Sequence, residues 1–350
     1  MPITPPGPVC VTGASGFIAA HIVRELLELG YEVRGTVRSP GDSGKYDYLT
    51  SLPGADERLT LVQADLLTPG AYDVAVDGCV AVLHTASPYV VHAEDPQRDL
   101  VEPALQGTRN VLASVDKADS VQRVVLTSSL AAISDEPHPT KRFTEHDWND
   151  QSTLTRNPYY LSKALAEKEA WNLAKDQERW SLVAINPYMT IGPSIGPGMN
   201  TSNGVLKGIL EGDYPGILAL SWGFVDVRDI AHAHVLAMQD DEAEGRHICA
   251  SEVVSMAEVV QILREAGYAD GYKLPSLDLS GGVGSFVVRL FSYTQPSGVG
   301  SYLRTHLGKD MLWSNDKARD KLGVSFRPGK ESILAAVEDM VKQGHLTPKG

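Results

Sequence analysis

"VCVTGASGFIAAHIVRELLELG", residues 9–30, constrains the fold more than any other stretch of the chain. A short apolar run leads into a glycine turn, and the turn into apolar residues at helical spacing that stop at Gly30. Gly13, Gly16 and Ala19 stand at G-x-x-G-x-x-A spacing. Gly13 permits a tight turn, Gly16 lets backbone approach a pyrophosphate, and Ala19 lets the helix pack closely on the strand. The free N–H groups of the helix N-terminus then face the phosphates. This spacing differs from the commoner G-x-G-x-x-G. Taken alone, it fits either a dinucleotide loop or a glycine turn without a ligand.

The rest of the chain continues the alternation. "YEVRGTV", "LTLVQAD" (59–65), "CVAVLHTAS" (79–87), "VQRVVLTSS" (121–129) and "WSLVAINP" (180–187) read as strands, with helical patterns around 104–117 and 159–176. Strands alternating with helices predict an α/β protein: a Rossmann-type doubly wound parallel sheet covered on both faces. After Pro187 the texture changes. "TIGPSIGPGMNTSNG" reads as loop, "FVDVRDIAHAHVLAMQD" as a strand feeding a helix, and "RHICAS" as one more strand. The expected organisation is a nucleotide-binding domain over 8–190, joined again by 224–250. A second, smaller α/β substrate lobe takes 191–223 and 251–346. The stretch 280–300 gives no clear element. A chain of 350 residues is ample for such a core.

Charge narrows the partners. With 31 basic and 44 acidic residues the net charge is −13, so nothing draws this chain to nucleic acid or an anionic membrane. An anionic ligand must be held by a few local cations. No apolar run reaches the roughly 18 residues of a membrane span. The start "MPITPPGPVCVTG" lacks a basic region and a long apolar core, so no signal peptide is read and the expected compartment is cytoplasmic. Cys10, Cys79 and Cys249 lie in apolar runs and read as buried free thiols; with no C-x-x-C pair, neither zinc nor a redox disulfide is expected. "NTS" at Asn200 fits a glycosylation sequon but carries no weight without a signal.

Cofactor choice is read at the end of the second strand. An NAD site carries an acid there for the ribose hydroxyls. This strand ends "GTVRS", with Arg38 and no acid, and Lys45 follows seven residues later. Two cations at that place suit a 2′-phosphate, although a pair of solvated surface charges would look the same. Asp65 closes the third strand, where adenine edges lie in such folds, and "HTASP" closes the fourth with small polar residues.

"NPYYLSK", residues 157–163, sets Lys163 four residues after Tyr159 and three after Tyr160. Either spacing puts a phenol and an ammonium on one helix face. A free tyrosine has a pKa of about 10, too high for ready proton exchange at neutral pH. An ammonium within ~4–6 Å lowers a neighbouring acid by roughly 1–3 units, towards the range in which acid–base catalysis is efficient. "LTSS", 126–129, offers a serine hydroxyl at a strand end that could hold the same substrate oxygen. Tyrosine and lysine at this spacing are common by chance. The order of dinucleotide loop, serine-ended strand and this helix makes a full set for hydride transfer to a carbonyl.

The chain resembles the extended short-chain dehydrogenase/reductases, within them the dihydroflavonol reductases, cinnamoyl-CoA reductases and fungal or bacterial aldehyde and ketone reductases. The resemblance rests on "VTGASGFIAAH", "GYEVRGTVRS", "HTASP", "VVLTSS", "FTEHDWND", "YYLSKALAEKEAW", "INPYMTIGPS", "NTSN", "FVDVRDIAHAHVLAM" and "KLGVSFRP". It implies NADPH (NADP+) as cofactor, a small-molecule carbonyl substrate, a monomer or homodimer, and a Ser-Tyr-Lys triad. In that pattern the tyrosine lies four before the lysine, so Tyr159 is the proton donor, Lys163 its partner, and the second serine, Ser129, the third member. The glycine loop brings Gly13, Ser15, Gly16, Phe17 and Ile18 to the cofactor. Arg38 and Lys45 match the pair on the 2′-phosphate, Asp65 and Leu66 the adenine pocket, and Thr85, Ala86 and Ser87 the stretch beside the ribose. Thr127 lies on the same side, Pro187 and Met189 match the nicotinamide shelf, and Ser202 sits in the loop that closes over it. Two departures steer the substrate. Members acting on CoA thioesters carry a motif like "NWYCYGK" where this chain has "NPYYLSK", and flavonoid reductases carry a polar residue where "SSLAAIS" is small and aliphatic. A free aldehyde or ketone is therefore expected. The rival readings are a hydroxysteroid dehydrogenase or nucleotide-sugar epimerase, which favour NAD, and a non-catalytic NADP-binding sensor, which would lack the tyrosine and lysine.

Overall fold

Parallel strands covered on both faces can be lined with Val, Leu, Ile and Ala without alternation, because neither side meets water. The runs at 9–12, 81–84 and 123–126 are of this kind and are buried throughout. The computed structural model describes residues 2–42, 44–87 and 93–348; Pro88, the last residue of "HTASP", lies outside them. Among the described residues seven strands form one sheet: β1 (Val9–Thr12), β2 (Val33–Val37), β3 (Leu59–Gln63), β4 (Ala81–His84), β5 (Arg123–Thr127), β6 (Ser181–Pro187) and β7 (Gly245–Cys249). Their spatial order is 7-6-5-4-1-2-3, and every neighbouring pair is parallel. The order reverses between β1 and β4, and a doubly wound sheet opens its ligand crevice at that point. The Rossmann-type α/β fold expected from the sequence is the one observed.

Four helices matter for the site: α1 (Phe17–Glu28), α2 (Glu102–Lys117), α3 (Pro158–Ala174) and α4 (Val227–Gln239). α1 and α4 share one core with the sheet, and α2 and α3 lie towards the other. A three-stranded sheet of Met189–Ile191, Ser221–Asp226 and Glu252–Ser255, with the helices Thr201–Glu211, Met256–Glu265 and Gly329–Lys342, encloses a separate core. The chain interleaves the two units. Ser221–Asp226 pairs within the small sheet before α4 returns to the large one, and Ala318, Leu322 and Val324 join the α1 core.

Two stretches differ from the sequence reading. The segment read as loop through Gly204 becomes helix from Thr201, because the Asn200 side chain accepts from the Asn203 N–H at 3.1 Å and caps it. Ser202 therefore sits in a helical first turn. The 280–300 stretch forms helices Gly282–Phe291 and Ser297–His306; its many glycines weaken the helical signal that "FVVRLF" carries. The three cysteines are buried and free.

One buried group joins three strands to α3. Glu167 has a side chain only 1% exposed. It accepts from the Ser128 hydroxyl, from Asn186 Nδ2 at 2.8 Å, from Trp171 Nε1 at 3.1 Å and from Arg246 Nε at 2.6 Å. Arg246, itself covered by the Trp148 ring at 3.8 Å, also donates from Nη2 to Glu167 Oε2 at 3.3 Å and from Nη1 to the Glu145 and Asp147 carbonyls. Removing one partner of a buried ion pair strands the other. Glu167→Ala should therefore lower the unfolding free energy by about 3–5 kcal/mol, and the double change Glu167→Leu with Arg246→Met by less than that. Urea unfolding measures both. A loss below about 1 kcal/mol for Glu167→Ala would give this pair no more weight than a surface one.

Candidate functional site

The glycine turn is built by φ and by closeness. Gly13 has φ +65°, and a Cβ there would meet Ala86 Cα at 3.2 Å. The Gly13 N–H donates to Thr36 Oγ1 at 2.9 Å and the Ala14 N–H to the Thr36 carbonyl at 2.9 Å, which ties the turn to β2. Thr12 holds the other side. Its hydroxyl oxygen accepts from the Thr85 and Ala86 N–H groups at 3.1 and 3.0 Å and gives its own proton to His84 Nδ1 at 2.9 Å. Burial, with the Lys163 charge nearby, pushes His84 down to about 3, so the ring stays neutral and can accept.

A cleft of about 1150 Å³ opens at the C-terminal ends of these strands. Gly13, Ser15, Gly16, Phe17 and Ile18 form one wall, and Thr85, Ala86 and Ser87 face them. Arg38 and Lys45 stand at its rim with Asp65 and Leu66. Both cations are exposed, and Lys45 Nζ is paired with Asp42 at 2.9 Å. Asp65 Oδ1 accepts from the Leu67 N–H at 2.9 Å, which fixes its side chain at the rim. Thr127, Ser129, Tyr159, Lys163, Pro187, Met189 and Ser202 line the same cleft, so every residue that the sequence singled out comes to one place.

Deeper in, α3 delivers its phenol and ammonium together. Lys163 Nζ donates to Ser87 Oγ at 2.9 Å and lies 5.8 Å from the centre of the Tyr159 ring. Loss of hydration pushes the Lys163 ammonium down to about 8, while Glu167 one turn on pulls it upward. Tyr160 turns towards His306, ring centres 6.0 Å apart. Along β5 the two serines part. Ser128 is spent on Glu167, whereas Ser129 is half-buried at the cleft and its Oγ accepts from the Ala131 N–H at 3.1 Å. Thr127 Oγ1 meets His234 Nε2 at 2.6 Å, and His234 Nδ1 donates to the Ile230 carbonyl at 2.7 Å. Burial holds His234 down to about 4, so Thr127 supplies the proton in that contact.

The sequence reading missed several residues. Thr12 and Thr36 shape the turn, yet a threonine in a strand carries no signal of it. Tyr188, Trp222 and Tyr302 line the inner cleft beside Tyr160. Tyr188 could have been found, lying between Pro187 and Met189; Tyr302 follows the stretch without a legible pattern. The Tyr188 and Tyr302 hydroxyls are buried without a partner in hydrogen-bond geometry among the described residues, and burial raises both well above the ordinary phenol range. A smaller cavity of about 550 Å³ lies beside α1 and α4. Its charges are spent on one another, Arg327 on Asp229 and His232 on Glu25.

Known proteins match along most of the chain. The family model described as the NAD dependent epimerase/dehydratase family matches residues 9–250. Tetraketide alpha-pyrone reductase 1 of Arabidopsis thaliana is 41% identical over 349 residues, covering 97% of each chain. Cinnamoyl-CoA reductase CAD2 of Medicago truncatula is 46% identical over 267 residues, 73% of this chain and 80% of that one. Among solved structures, the yeast methylglyoxal/isovaleraldehyde reductase Gre2 complexed with NADPH superimposes with a TM-score of 0.76 at 30% identity, covering 97% of this chain and all of that one. The chain belongs to the NAD dependent epimerase/dehydratase family, the extended short-chain dehydrogenase/reductases.

Proposed function

We propose that this protein is an NADPH-dependent reductase of a free aldehyde or ketone, with Tyr159, Ser129 and Lys163 as its catalytic residues. The observation that carries the proposal is that Tyr159, Lys163 and Ser129 line the same cleft as the Gly13–Gly16 turn. The residues fit a dinucleotide. The left-handed Gly13 leaves no room for a side chain against Ala86, and two exposed cations stand where β2 ends. Gly13, Gly16 and the α1 N-terminus would hold the pyrophosphate, Arg38 and Lys45 the 2′-phosphate, and Lys163 with Ser87 the inner ribose.

When bound, NADPH supplies the hydride for the carbonyl carbon. Tyr159 gives its phenolic proton to the carbonyl oxygen, and the Ser129 hydroxyl donates a hydrogen bond to that oxygen. The Lys163 ammonium lowers the cost of the phenolate left behind, and Ser87 fixes that ammonium. Tyr160, Tyr188, Trp222 and Tyr302 give the inner cleft an aromatic wall suited to a flat apolar substrate. One further reading has support: the identity with cinnamoyl-CoA reductase CAD2 favours a CoA thioester. Feeding the protein NADPH with a cinnamoyl thioester or the matching free aldehyde separates the two, since only a thioester reductase releases CoA.

Tyr159→Phe should remove nearly all turnover while leaving NADPH binding intact, and Tyr160→Phe should stay active. Ser129→Ala should lower kcat by roughly 100-fold or more, as for loss of one oxyanion donor. Ser128→Ala should act on stability, because its hydroxyl belongs to Glu167. Steady-state kinetics with equilibrium NADPH titration checks all four. A larger kcat loss in Ser128→Ala than in Ser129→Ala would reverse the assignment.

Cofactor preference follows from charge at the rim. A hydrogen bond to a charged group contributes about 1.5–3 kcal/mol, and solvent exposure favours the low end. Two such contacts give NADPH a preference over NADH of at least ~100-fold in kcat/KM. Arg38→Ala should weaken NADPH by roughly ten-fold or more and barely touch NADH, with the gap narrowing as salt rises. Lys45 must give up part of its pairing with Asp42 to take part, so Arg38 is the larger contributor. Comparable use of NADH by the unaltered protein would favour the epimerase or steroid readings.

The pH profile follows from Lys163. Its ammonium, pushed down to about 8, stays charged below that pH and is lost above it. The kcat/KM for NADPH should therefore hold on the acid side and fall as pH rises through about 8. Lys163→Arg, charged at all working pH, should move that basic limb upward even where absolute rates drop. An unmoved limb would assign it to another group.

A further inference from the structure

We infer that Asn157 is a positioning residue for the Tyr159 phenol, held in place by the helix Ser297–His306. The inference rests on the assignment of Tyr159 as proton donor and adds what keeps that phenol where it is. Among the described residues Asn157 is the one non-glycine residue with positive φ, at φ +49° and ψ +57°. It lies two residues before Tyr159, and Pro158, the first residue of α3, follows it directly. Asparagine tolerates the left-handed region better than most residues, but a residue before proline is steered to extended backbone. Such a conformation persists only where the surroundings over-determine it.

The surroundings do so from two distant parts of the chain. An asparagine at a helix start ordinarily caps it by accepting an N–H with its side chain, yet no such bond forms here among the described residues. The Asn157 amide turns away instead and donates to Asp135 Oδ1 at 3.0 Å and to Thr305 Oγ1 at 3.4 Å. Its backbone N–H donates to Ser301 Oγ at 3.1 Å. Asp135, 2% exposed, is itself fixed by the Ser152 hydroxyl and by Arg156 Nε at 2.7 Å. Ser301 and Thr305 are buried one turn apart on the helix Ser297–His306, and Lys309 beyond it pairs with Glu136 at 2.9 Å. The same helix packs Leu303 against the core of the three-stranded sheet and brings Tyr302 to the cleft. An ordinary cap would start α3 as well. What the ties to Ser301 and Thr305 add is a fixed placement of Tyr159 against the far wall of the cleft.

Ser301→Ala removes the acceptor of the Asn157 N–H from a position outside the cleft lining. With NADPH and an aromatic aldehyde, its kcat should fall by about ten-fold or more at unaltered NADPH affinity, since misplacing a reacting group by ~1 Å costs on the order of 100-fold. The solvent deuterium isotope effect on single-turnover reduction should rise, because proton transfer from the phenol becomes the slower part. Loss of stability alone would leave that effect unmoved. Thr305→Val, similar in shape, releases the Asn157 amide and should act in the same direction. Asn157→Gly, which takes the left-handed backbone without strain, should keep more kcat than Asn157→Ala. Tyr159→Phe runs alongside. If it keeps turnover, the assignment of the phenol fails and the inference with it. If it is inactive while Ser301→Ala and Thr305→Val turn over at the unaltered rate, the assignment stands and the inference is overturned. A lower melting temperature with kcat and isotope effect unchanged overturns it too, and leaves Asn157 a structural residue.

Discussion

A carboxylate with 1% of its side chain exposed must be surrounded by donors, and meeting that demand for Glu167 brings the site together. The donors come from three neighbouring strands and from its own helix: Ser128 just past β5, Asn186 on β6, Arg246 on β7 and Trp171 on α3. Asn186 also donates to the Ser129 carbonyl at 3.2 Å, which fixes the backbone of the residue facing the cleft. Successive side chains in extended backbone point to opposite sides. Once Ser128 turns inward to Glu167, Ser129 is left to the cleft. The same helix carries Lys163 one turn before Glu167 and Tyr159 one turn before that. The register of α3 against the strand ends thus decides which hydroxyls and which ammonium share a space.

The cleft handles charge locally, against the balance of the whole chain. At −13 the molecule has no general pull on an anion. The floor beneath the glycine turn is kept neutral: burial holds His84 at about 3 and His234 at about 4, so both rings serve as hydrogen-bonding groups at neutral pH. Lys163 is then the cation nearest the phenol, held down to about 8 by loss of water and supported by Glu167. Arg38 and Lys45 stay at the rim in solvent, where a cation carries no cost of burial.

Much of this was legible in the chain because it is written in short-range code. The strand–turn–helix at 9–30, the burial of runs such as "AVLH", and the phenol–ammonium spacing on α3 follow from backbone freedom, two-faced burial and helical periodicity. The sequence was less legible where glycine dilutes periodicity. Gly282 and Gly284 hid a helix whose apolar side turns outward, and Asn200 ended a presumed loop by capping it. Thr12, Thr36, Trp222 and Tyr302 were missed because their role depends on neighbours tens or hundreds of residues away.

The sequence by itself determined the sheet, the dinucleotide-type turn and the segments that carry the polar chemistry, since each is fixed by local conformational preference and the pattern of burial. Only the tertiary structure decided what the neighbouring serine and tyrosine do: Ser128 gives its hydroxyl to Glu167, and Tyr160 turns its ring towards His306. It also decided that aromatic residues from separate parts of the chain, Tyr188, Trp222 and Tyr302, line the inner cleft, and that one apolar helix face is left exposed. Those outcomes turn on long-range packing: a buried Glu167 must find its donors, and no local rule says which strand ends will supply them.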